Sequence, residues 1–251
     1  MIHGPKGLFF SGTSGLVLSL TQSQYPEEYK GASRLTYYAS LFNSIEINST
    51  FYKLPQASTI RKWGESVPDH FRFTFKLSKS ITHSKGLSFN KDEVIAFLQT
   101  IGNIGNKKGC ILIQFPPSVK QDQLDEVEDL VGQLKAADPK GEWPLALEFR
   151  NRAWYTEATY HFLQQYGLTP VRHDFPSCPT PARDVEGPLV YLRFHGPGGK
   201  YRGSYGEEDL RTTSVQIKAW RAKGKQVYAY FNNTMGDAAN NLQALNRFVS
   251  P

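Results

Sequence analysis

The sequence predicts an α/β fold of the (β/α)8 TIM-barrel class, with eight parallel strands. Eight short strand-like segments are separated mostly by helical patterns, and this alternation favours parallel pairing through right-handed crossovers. The length of 251 residues is also common for one barrel domain. We therefore expect a single domain over residues 1–251, with an open doubly wound sheet as the alternative.

The strand predictions depend on period-two alternation or on short apolar runs. Phe71–Lys76 alternates strictly, and Cys110–Phe115 is nearly continuous in apolar residues until Pro116 and Pro117 stop it. The predicted strands are Leu8–Thr13, Ser44–Asn48, Phe71–Lys76, Cys110–Phe115, Leu145–Phe149, Pro170–Asp174, Leu189–Phe194 and Gln226–Phe231.

Apolar residues at helical spacing predict a helix after most strands. Ser58 is expected to cap the second helix, and Ser204 with Glu207 resembles a capping box that opens a helix through Trp220. Phe175–Pro188 contains four prolines and is predicted to be a loop that replaces the helix after strand six. The other helices are marked by Leu35, Tyr38, Ala39 and Phe42; Ile60, Trp63 and Val67; Val94, Phe97, Leu98 and Ile101; Leu124, Val127, Leu130, Val131 and Leu134; Tyr155–Tyr166; and Ala238, Leu242, Leu245 and Val249.

Composition narrows the class of protein. The net charge of +6 suits an anionic ligand or nucleic acid. The two cysteines, Cys110 and Cys178, do not form a disulfide framework and lack zinc-site spacing, so we expect a cytoplasmic protein.

Gly12-Thr13-Ser14-Gly15 interrupts the first apolar run, which argues against a signal peptide and suits a tight turn or a close backbone approach. No run approaches the roughly 20 apolar residues of a membrane span, and no metal or cofactor is predicted.

Polar side chains recur at the carboxyl ends of the predicted strands. If Ile45 and Ile47 face the helices, Glu46 and Asn48 share the opposite face. Barrel enzymes build their active sites at this end. The same alternation places Lys76, Gln114, Glu148, Arg150, Arg193, His195 and Asn232 inside.

These residue types suggest three roles. Glu46, Glu148 and His195 are the candidates for proton transfer. The other candidates are expected to bind substrate. Lys76, Arg150 and Arg193 would bind its charge, and the amides of Asn48, Gln114 and Asn232 would orient its hydroxyl groups. Further contacts would come from Tyr52, Tyr201 and Asn233. The alternative is a closed network of Glu46, Glu148, Arg72 and Arg150 that only sets packing, with Arg72 the most purely structural member.

The segment His195–Gly203 is basic and rich in glycine. Loops after strands seven and eight often hold phosphate in barrels. The segment is not a Walker A loop, because Tyr201 stands where Ser or Thr should follow the lysine. A flexible surface loop is the alternative.

Seven stretches spread along the chain form one distinctive set of motifs. They are Gly12–Gly15, Phe42–Pro55, Phe73–Lys76 with Ile81-Thr82-His83, Gln114–Pro117, Leu147–Trp154, Tyr191–Gly196 and Tyr230–Gly236. Together they resemble the YecE-like family, also called domain of unknown function 72, over nearly the whole chain. The resemblance implies a TIM barrel and supplies no reaction, substrate or catalytic residue. The family's first motif usually continues with an aromatic residue, where this chain has Leu16.

The leading hypothesis is an enzyme that acts on a phosphorylated or otherwise anionic, sugar-like substrate by hydrolase- or isomerase-type acid/base chemistry. One alternative is a metal-dependent nuclease similar to endonuclease IV, with a divalent ion near His195, His173 or a glutamate. The other is a non-catalytic nucleic-acid-binding or interaction protein. Its basic surface would use Lys107, Lys108, Lys200, Arg202, Lys223 and Lys225.

Overall fold

The computed structural model describes residues 7–183 and 186–250, and eight parallel strands alternate there with α-helices. The strand order is β1-β8-β7-β6-β5-β4-β3-β2, which confirms the predicted (β/α)8 class. The strands are β1 (Phe9–Thr13), β2 (Ser44–Ile47), β3 (Arg72–Lys76), β4 (Lys108–Gln114), β5 (Leu145–Glu148), β6 (Thr169–His173), β7 (Leu189–Phe194) and β8 (Gln226–Phe231). The helices are α1 (Arg34–Leu41), α2 (Ala57–Glu65), α3 (Lys79–Thr82), α4 (Lys91–Ile101), α5 (Leu124–Ala137), α6 (Glu157–Gln165), α7 (Glu207–Ala222) and α8 (Ala238–Val249).

The strand bounds agree closely with those expected. β7 and β8 have the predicted limits, and the other strands differ by one or two residues at one or both ends. β2 stops at Ile47 because Asn48 adopts helical backbone angles, with φ −83° and ψ −18°. Asn48 therefore opens a 3-10 turn, Ser49–Phe51, instead of ending the strand.

Two predicted helix caps were wrong. Ser58 lies in the first turn of α2, which begins at Ala57. The capping position is occupied by Gln56 instead. Ser204 lies before Gly206, the residue that precedes α7, and no side chain of the described residues caps that helix. The Ser204 hydroxyl instead donates to Asp237 at 3.0 Å and accepts from Asn241 Nδ2 at 2.9 Å.

The connection between β6 and β7 contains no helix within residues 175–183 and 186–188. This part of the loop prediction is confirmed, while Asp184 and Val185 lie outside the described residues. Cys178 in this connection is buried, and so is Cys110 in β4. None of the described helices combines the length and apolar character that a membrane crossing requires.

The chain forms two compact units. Unit 1 comprises Met1–Glu46 and Val171–Pro251, and unit 2 comprises Ile47–Pro170. In unit 1, α7 buries Leu210, Ile217 and Trp220. The single-domain organisation stays a prediction. The core of unit 2 includes Phe71, Phe73, Phe75, Ile111, Ile113, Val127, Leu130 and Val131.

Within unit 1, β1 and β2 approach each other closely at Gly12. A Cβ atom at this position would lie 2.0 Å from the carbonyl oxygen of Ser44, far inside van der Waals contact. Two residues later, Ser14 forms a parallel bridge with Glu46. Gly15 then turns the chain with φ +89°, a conformation that favours glycine. The first glycine thus permits contact between two strands, and the second permits a turn.

Candidate functional site

Glu46 lies at the centre of a buried hydrogen-bond network in unit 1. The residue is 0% exposed, and its Oε1 atom accepts from Ser14 Oγ at 2.6 Å and from Arg193 Nη2 at 2.8 Å. Its Oε2 atom accepts from the Tyr191 hydroxyl at 2.5 Å. A buried carboxylate needs such partners, because an isolated charge loses several kcal/mol of hydration. The network therefore holds Glu46 as a compensated anion.

The network continues from Arg193 to the end of β6. Arg193 Nη1 lies 3.4 Å from His195 Nε2, and His195 Nδ1 lies 3.4 Å from Asp174 Oδ1. Asp174 also accepts from the backbone N–H of His195 at 2.7 Å and from the Tyr205 hydroxyl. Burial acts to raise the pKa of Asp174, but the hydrogen bonds from His195 and Tyr205 outweigh it and leave the pKa below its usual range. Asp174 is therefore the second fixed anion of unit 1.

Aromatic rings surround the buried His195. The ring centroids of His173, Phe175 and Tyr201 lie 5.6, 5.6 and 5.8 Å from that of His195. Tyr201 and Lys200 hold φ values of 60° and 56°, and the Tyr201 N–H donates to the His195 carbonyl at 3.0 Å. The glycine-rich segment thus folds back on His195. Its predicted role with phosphate stays a prediction.

Other polar residues of unit 1 are similarly enclosed. The Tyr38 hydroxyl accepts from the Thr13 N–H at 2.7 Å and donates to the Ser44 carbonyl at 3.2 Å. Burial raises the pKa of Tyr38, so the phenol stays neutral. Asn233 is fully buried and donates to the Gly203 carbonyl at 2.9 Å. Asn232 and Asn233 are only 9% and 0% exposed, so both predicted ligand-binding amides lie beneath the surface of the unit.

In unit 2, a second set of polar groups meets at the ends of β3, β4 and β5. Lys76 is half-buried, and its Nζ atom donates to Gln114 Oε1 at 3.0 Å. The same atom lies 4.0 Å from the ring centroid of Phe51, within the range of a cation–π contact. We call this set the unit 2 cluster; its members are Asn48, Phe51, Lys76, His83, Gln114, Glu148 and Arg150.

Glu148 supplies the carboxylate of the unit 2 cluster. It is 0% exposed, and its Oε1 atom accepts from Arg150 Nε at 2.5 Å. Glu148 pairs in register with Gln114 on the neighbouring strand, so the two side chains project at the same level. The unit 2 cluster thus contains one carboxylate against Lys76 and Arg150.

The turn after β2 completes the unit 2 cluster. The ring of His83 packs edge-on against Phe51, with centroids 5.0 Å apart. Burial, with the nearby charges of Lys76 and Lys79, lowers the pKa of His83 to about 4, so the ring is neutral at pH 7. Asn48 Oδ1 is buried and has no hydrogen-bond partner within the described residues.

Two further predicted residues, Tyr52 and Arg72, differ in their exposure and contacts. Tyr52 is 79% exposed and contacts Phe51 edge-on, with ring centroids 5.0 Å apart. Arg72 donates to the backbone carbonyls of Asp69 and Phe71 at 2.8 and 3.0 Å, as suits a structural role.

Lys107 does not belong to a basic surface. It is 7% exposed and donates to the carbonyls of Gly64 and Val67 at 2.6 and 2.8 Å, which corrects its assignment to the nucleic-acid alternative. Lys108 is paired with Glu142 at 2.8 Å.

Among the residues that the structure describes, His, Cys, Asp and Glu side chains form no group of three that could hold a metal ion.

The structure brings the predicted residues together in two sets. Glu46, Arg193 and His195 meet in unit 1, and Lys76, Gln114, Glu148 and Arg150 meet in unit 2. Sequence reasoning missed Ser14, Tyr191, Asp174, Tyr205 and His83 as site residues. Tyr191 had a signal in the strand alternation, and Asp174 in its position at the end of a predicted strand. Tyr205 had none, because its partner is distant in sequence.

Known proteins resemble this chain over most of its length. The family model described as protein of unknown function DUF72 matches residues 11–250. The UPF0759 protein YunF of Bacillus subtilis is 30% identical over 251 aligned residues, covering 87% of each chain. The UPF0759 protein YecE of Escherichia coli is 27% identical over 143 residues, which cover 57% of this chain and 51% of that protein.

A solved structure also has the same fold. The crystal structure of a DUF72 family protein from Thermotoga maritima superposes with a TM-score of 0.81 and 28% identity, covering 97% of this chain and 100% of that chain. None of these names states a reaction or a substrate. The match over residues 11–250 and the identity with YunF lead to one conclusion: this chain belongs to the DUF72 family.

Proposed function

We propose that this protein is an enzyme that binds a small anionic, hydroxyl-bearing substrate, of the sugar phosphate class, at the unit 2 cluster. The observation that carries the proposal is the placement of Lys76. Its ammonium group is half-buried and is oriented by the Gln114 amide at 3.0 Å and the Phe51 ring at 4.0 Å. A cation held in this way can bind phosphate without a large loss of side-chain entropy.

The neighbouring groups suit the rest of such a substrate. Gln114 and Asn48 can exchange hydrogen bonds with hydroxyl groups, and Asn48 Oδ1 is a buried acceptor that no donor of the described residues reaches. Lys76 and Lys79 both act to lower the pKa of His83, as expected of a positive local potential. That potential favours an anion.

Proton transfer is assigned to Glu148. Arg150 Nε donates to one carboxylate oxygen at 2.5 Å and orients the carboxylate for the role of a general base. An acid/base group beside a phosphate-binding cation is consistent with isomerisation or hydrolysis of a sugar phosphate. The reaction is therefore proposed to be of this hydrolase or isomerase type.

The test is incubation of the protein with D-glucose 6-phosphate, D-ribose 5-phosphate and glycerol 3-phosphate, followed by ³¹P NMR. This measurement detects binding, isomerisation and release of phosphate in one experiment. We expect binding of at least one compound, weakened about tenfold or more in Lys76→Met. The matched control is Lys62→Met, which removes the same charge from an exposed position of α2. Equal binding by both variants, or no binding by the unaltered protein, would contradict the proposal.

A further inference from the structure

Unit 1 contains a cavity of about 560 Å³ on the outer side of β6 and β7, and its lining includes Asp174 and Tyr205 of the buried network. Arg172 and Leu192 pair in register and alternate with the inward residues His173 and Arg193, so they lie on the outer face of the strands. The helix α7 forms another wall, and residues 180–182 form the rim. The cavity is bordered by the segment that replaces a crossover helix.

The base of the cavity is rigid and partly apolar. The Arg172 guanidinium lies over the Trp220 ring, 5.0 Å from its centroid, and donates to the Arg183 carbonyl at 2.6 Å. Leu192 and Phe194 contribute apolar surface beside it. The Phe194 ring is fixed by stacking on Phe231, with centroids 4.5 Å apart. Such a surface can cover the apolar face of a small ring without rearranging.

The wall formed by α7 carries polar groups. Asp209, Thr212 and Gln216 are exposed side chains that line the cavity, and they offer a carboxylate, a hydroxyl and an amide. These groups accept and donate hydrogen bonds, which matches a ligand with several hydroxyl groups.

The charges that line the cavity nearly cancel. Two cations, Arg172 and Arg193, and two carboxylates, Asp174 and Asp209, line the cavity, and Asp174 already accepts hydrogen bonds from Tyr205 and His195. A strongly charged ligand would therefore gain little here.

We propose that this cavity binds a neutral polyhydroxy ligand of monosaccharide size. Its volume lies within the range of about 300–1,000 Å³ that small-molecule sites occupy. The apolar base would contact the C–H face of a sugar ring, while the groups on α7 would bind its hydroxyls. This site is independent of the anionic substrate proposed for unit 2.

The experiment is saturation-transfer NMR with D-glucose, D-galactose and D-ribose as the probes. We expect at least one of them to bind the unaltered protein with a Kd of about 1 mM. Gln216→Trp should fill part of the cavity and weaken that binding about tenfold or more. The matched control is Val215→Trp, because Val215 is the preceding residue of α7, is 66% exposed and does not line the cavity.

Circular dichroism establishes that both variants are folded before their binding is compared. The proposal is overturned if none of the three sugars binds with a Kd below about 10 mM, or if the two tryptophan variants bind equally well. Lys76→Met is expected to retain sugar binding, because Lys76 does not line the cavity. Sugar binding can therefore be observed even if the proposal for unit 2 fails. Loss of sugar binding in Lys76→Met would place the sugar elsewhere and would also overturn this inference.

Discussion

The strand ends of unit 1 and unit 2 use similar residues in different ways. Each unit contains a glutamate that is 0% exposed and bonded to an arginine, Glu46 with Arg193 and Glu148 with Arg150. The first pair joins β2 to β7, whereas the second joins residues two positions apart. In unit 1 the network also contains His195, which is 0% exposed, while in unit 2 Lys76 is half-buried.

This difference separates two uses of a buried ion pair. Removing one partner of a pair that is sealed from water is strongly destabilising, because the other charge stays buried without compensation. The second pair is local and lies beside the half-buried Lys76, where we propose that a ligand binds. Substitutions in the unit 1 network should therefore lower stability more than substitutions in the unit 2 cluster. Substitutions in the unit 2 cluster should weaken ligand binding more.

The largest expected effect is that of Glu46→Gln. This change keeps the side-chain shape but leaves Arg193 buried without its anion, so we expect the free energy of unfolding to fall by about 3–5 kcal/mol. Urea denaturation measures the loss. The matched control is Glu207→Gln, whose pair with Arg211 is more than half exposed on both sides, and it should lose less than about 1 kcal/mol. Similar losses in both variants would refute a sealed network in unit 1.

A smaller loss is expected from Tyr191→Phe. The change removes the hydroxyl that donates to Glu46 Oε2 at 2.5 Å, and the acceptor cannot regain water in its buried position. We expect unfolding to become easier by about 2 kcal/mol in the same urea experiment. Tyr52→Phe provides the control in unit 2, since that ring is 79% exposed and should lose less than about 0.5 kcal/mol.

The pH dependence of stability should reveal the contribution of His83. Its pKa is about 4 in the folded protein, below the ordinary histidine value of 6.5, so protonation favours the unfolded chain. The contribution of neutral His83 is fully present above pH 6.5 and is lost as the pH falls towards about 4. Urea denaturation across this window should show a shallower decline for His83→Asn than for the unaltered protein. An unchanged decline, matching the exposed control His70→Asn, would contradict the placement of His83.

The smallest effect on stability is expected from Lys76→Met. Lys76 is half-buried, and its ammonium group contacts the Gln114 amide and the Phe51 ring, so we expect the free energy of unfolding to fall by less than about 1 kcal/mol. Thermal or urea unfolding measures this value. A loss as large as that of Glu46→Gln would show that the unit 2 cluster is as structural as the network of unit 1.

The sequence was sufficient for the fold and for the inward faces of the strands. Alternation along β2 and β7 placed Glu46 and Arg193 on the polar face, because period two is a local property of a strand. It did not reveal that the two side chains pair, since that contact joins positions far apart in the chain.

Local patterns misled where tertiary contacts compete. Ser204 has the spacing of a capping residue, yet Asp237 and Asn241 engage its hydroxyl. Lys107 reads as a surface cation, but backbone carbonyls of Gly64 and Val67 hold it in the interior. Helix propensity and charge are properties of a single residue or its sequence neighbours. They could not predict these contacts, because the partners come from other segments of the chain.

The close passage of β1 past β2 limits what residue 12 can become. Adding even one methyl group there would force the Ser44 carbonyl away and move the strand that carries Ser14. Ser14 would then be displaced from the carboxylate of Glu46. The absence of a side chain at one position is thus a condition for keeping a negative charge inside the protein.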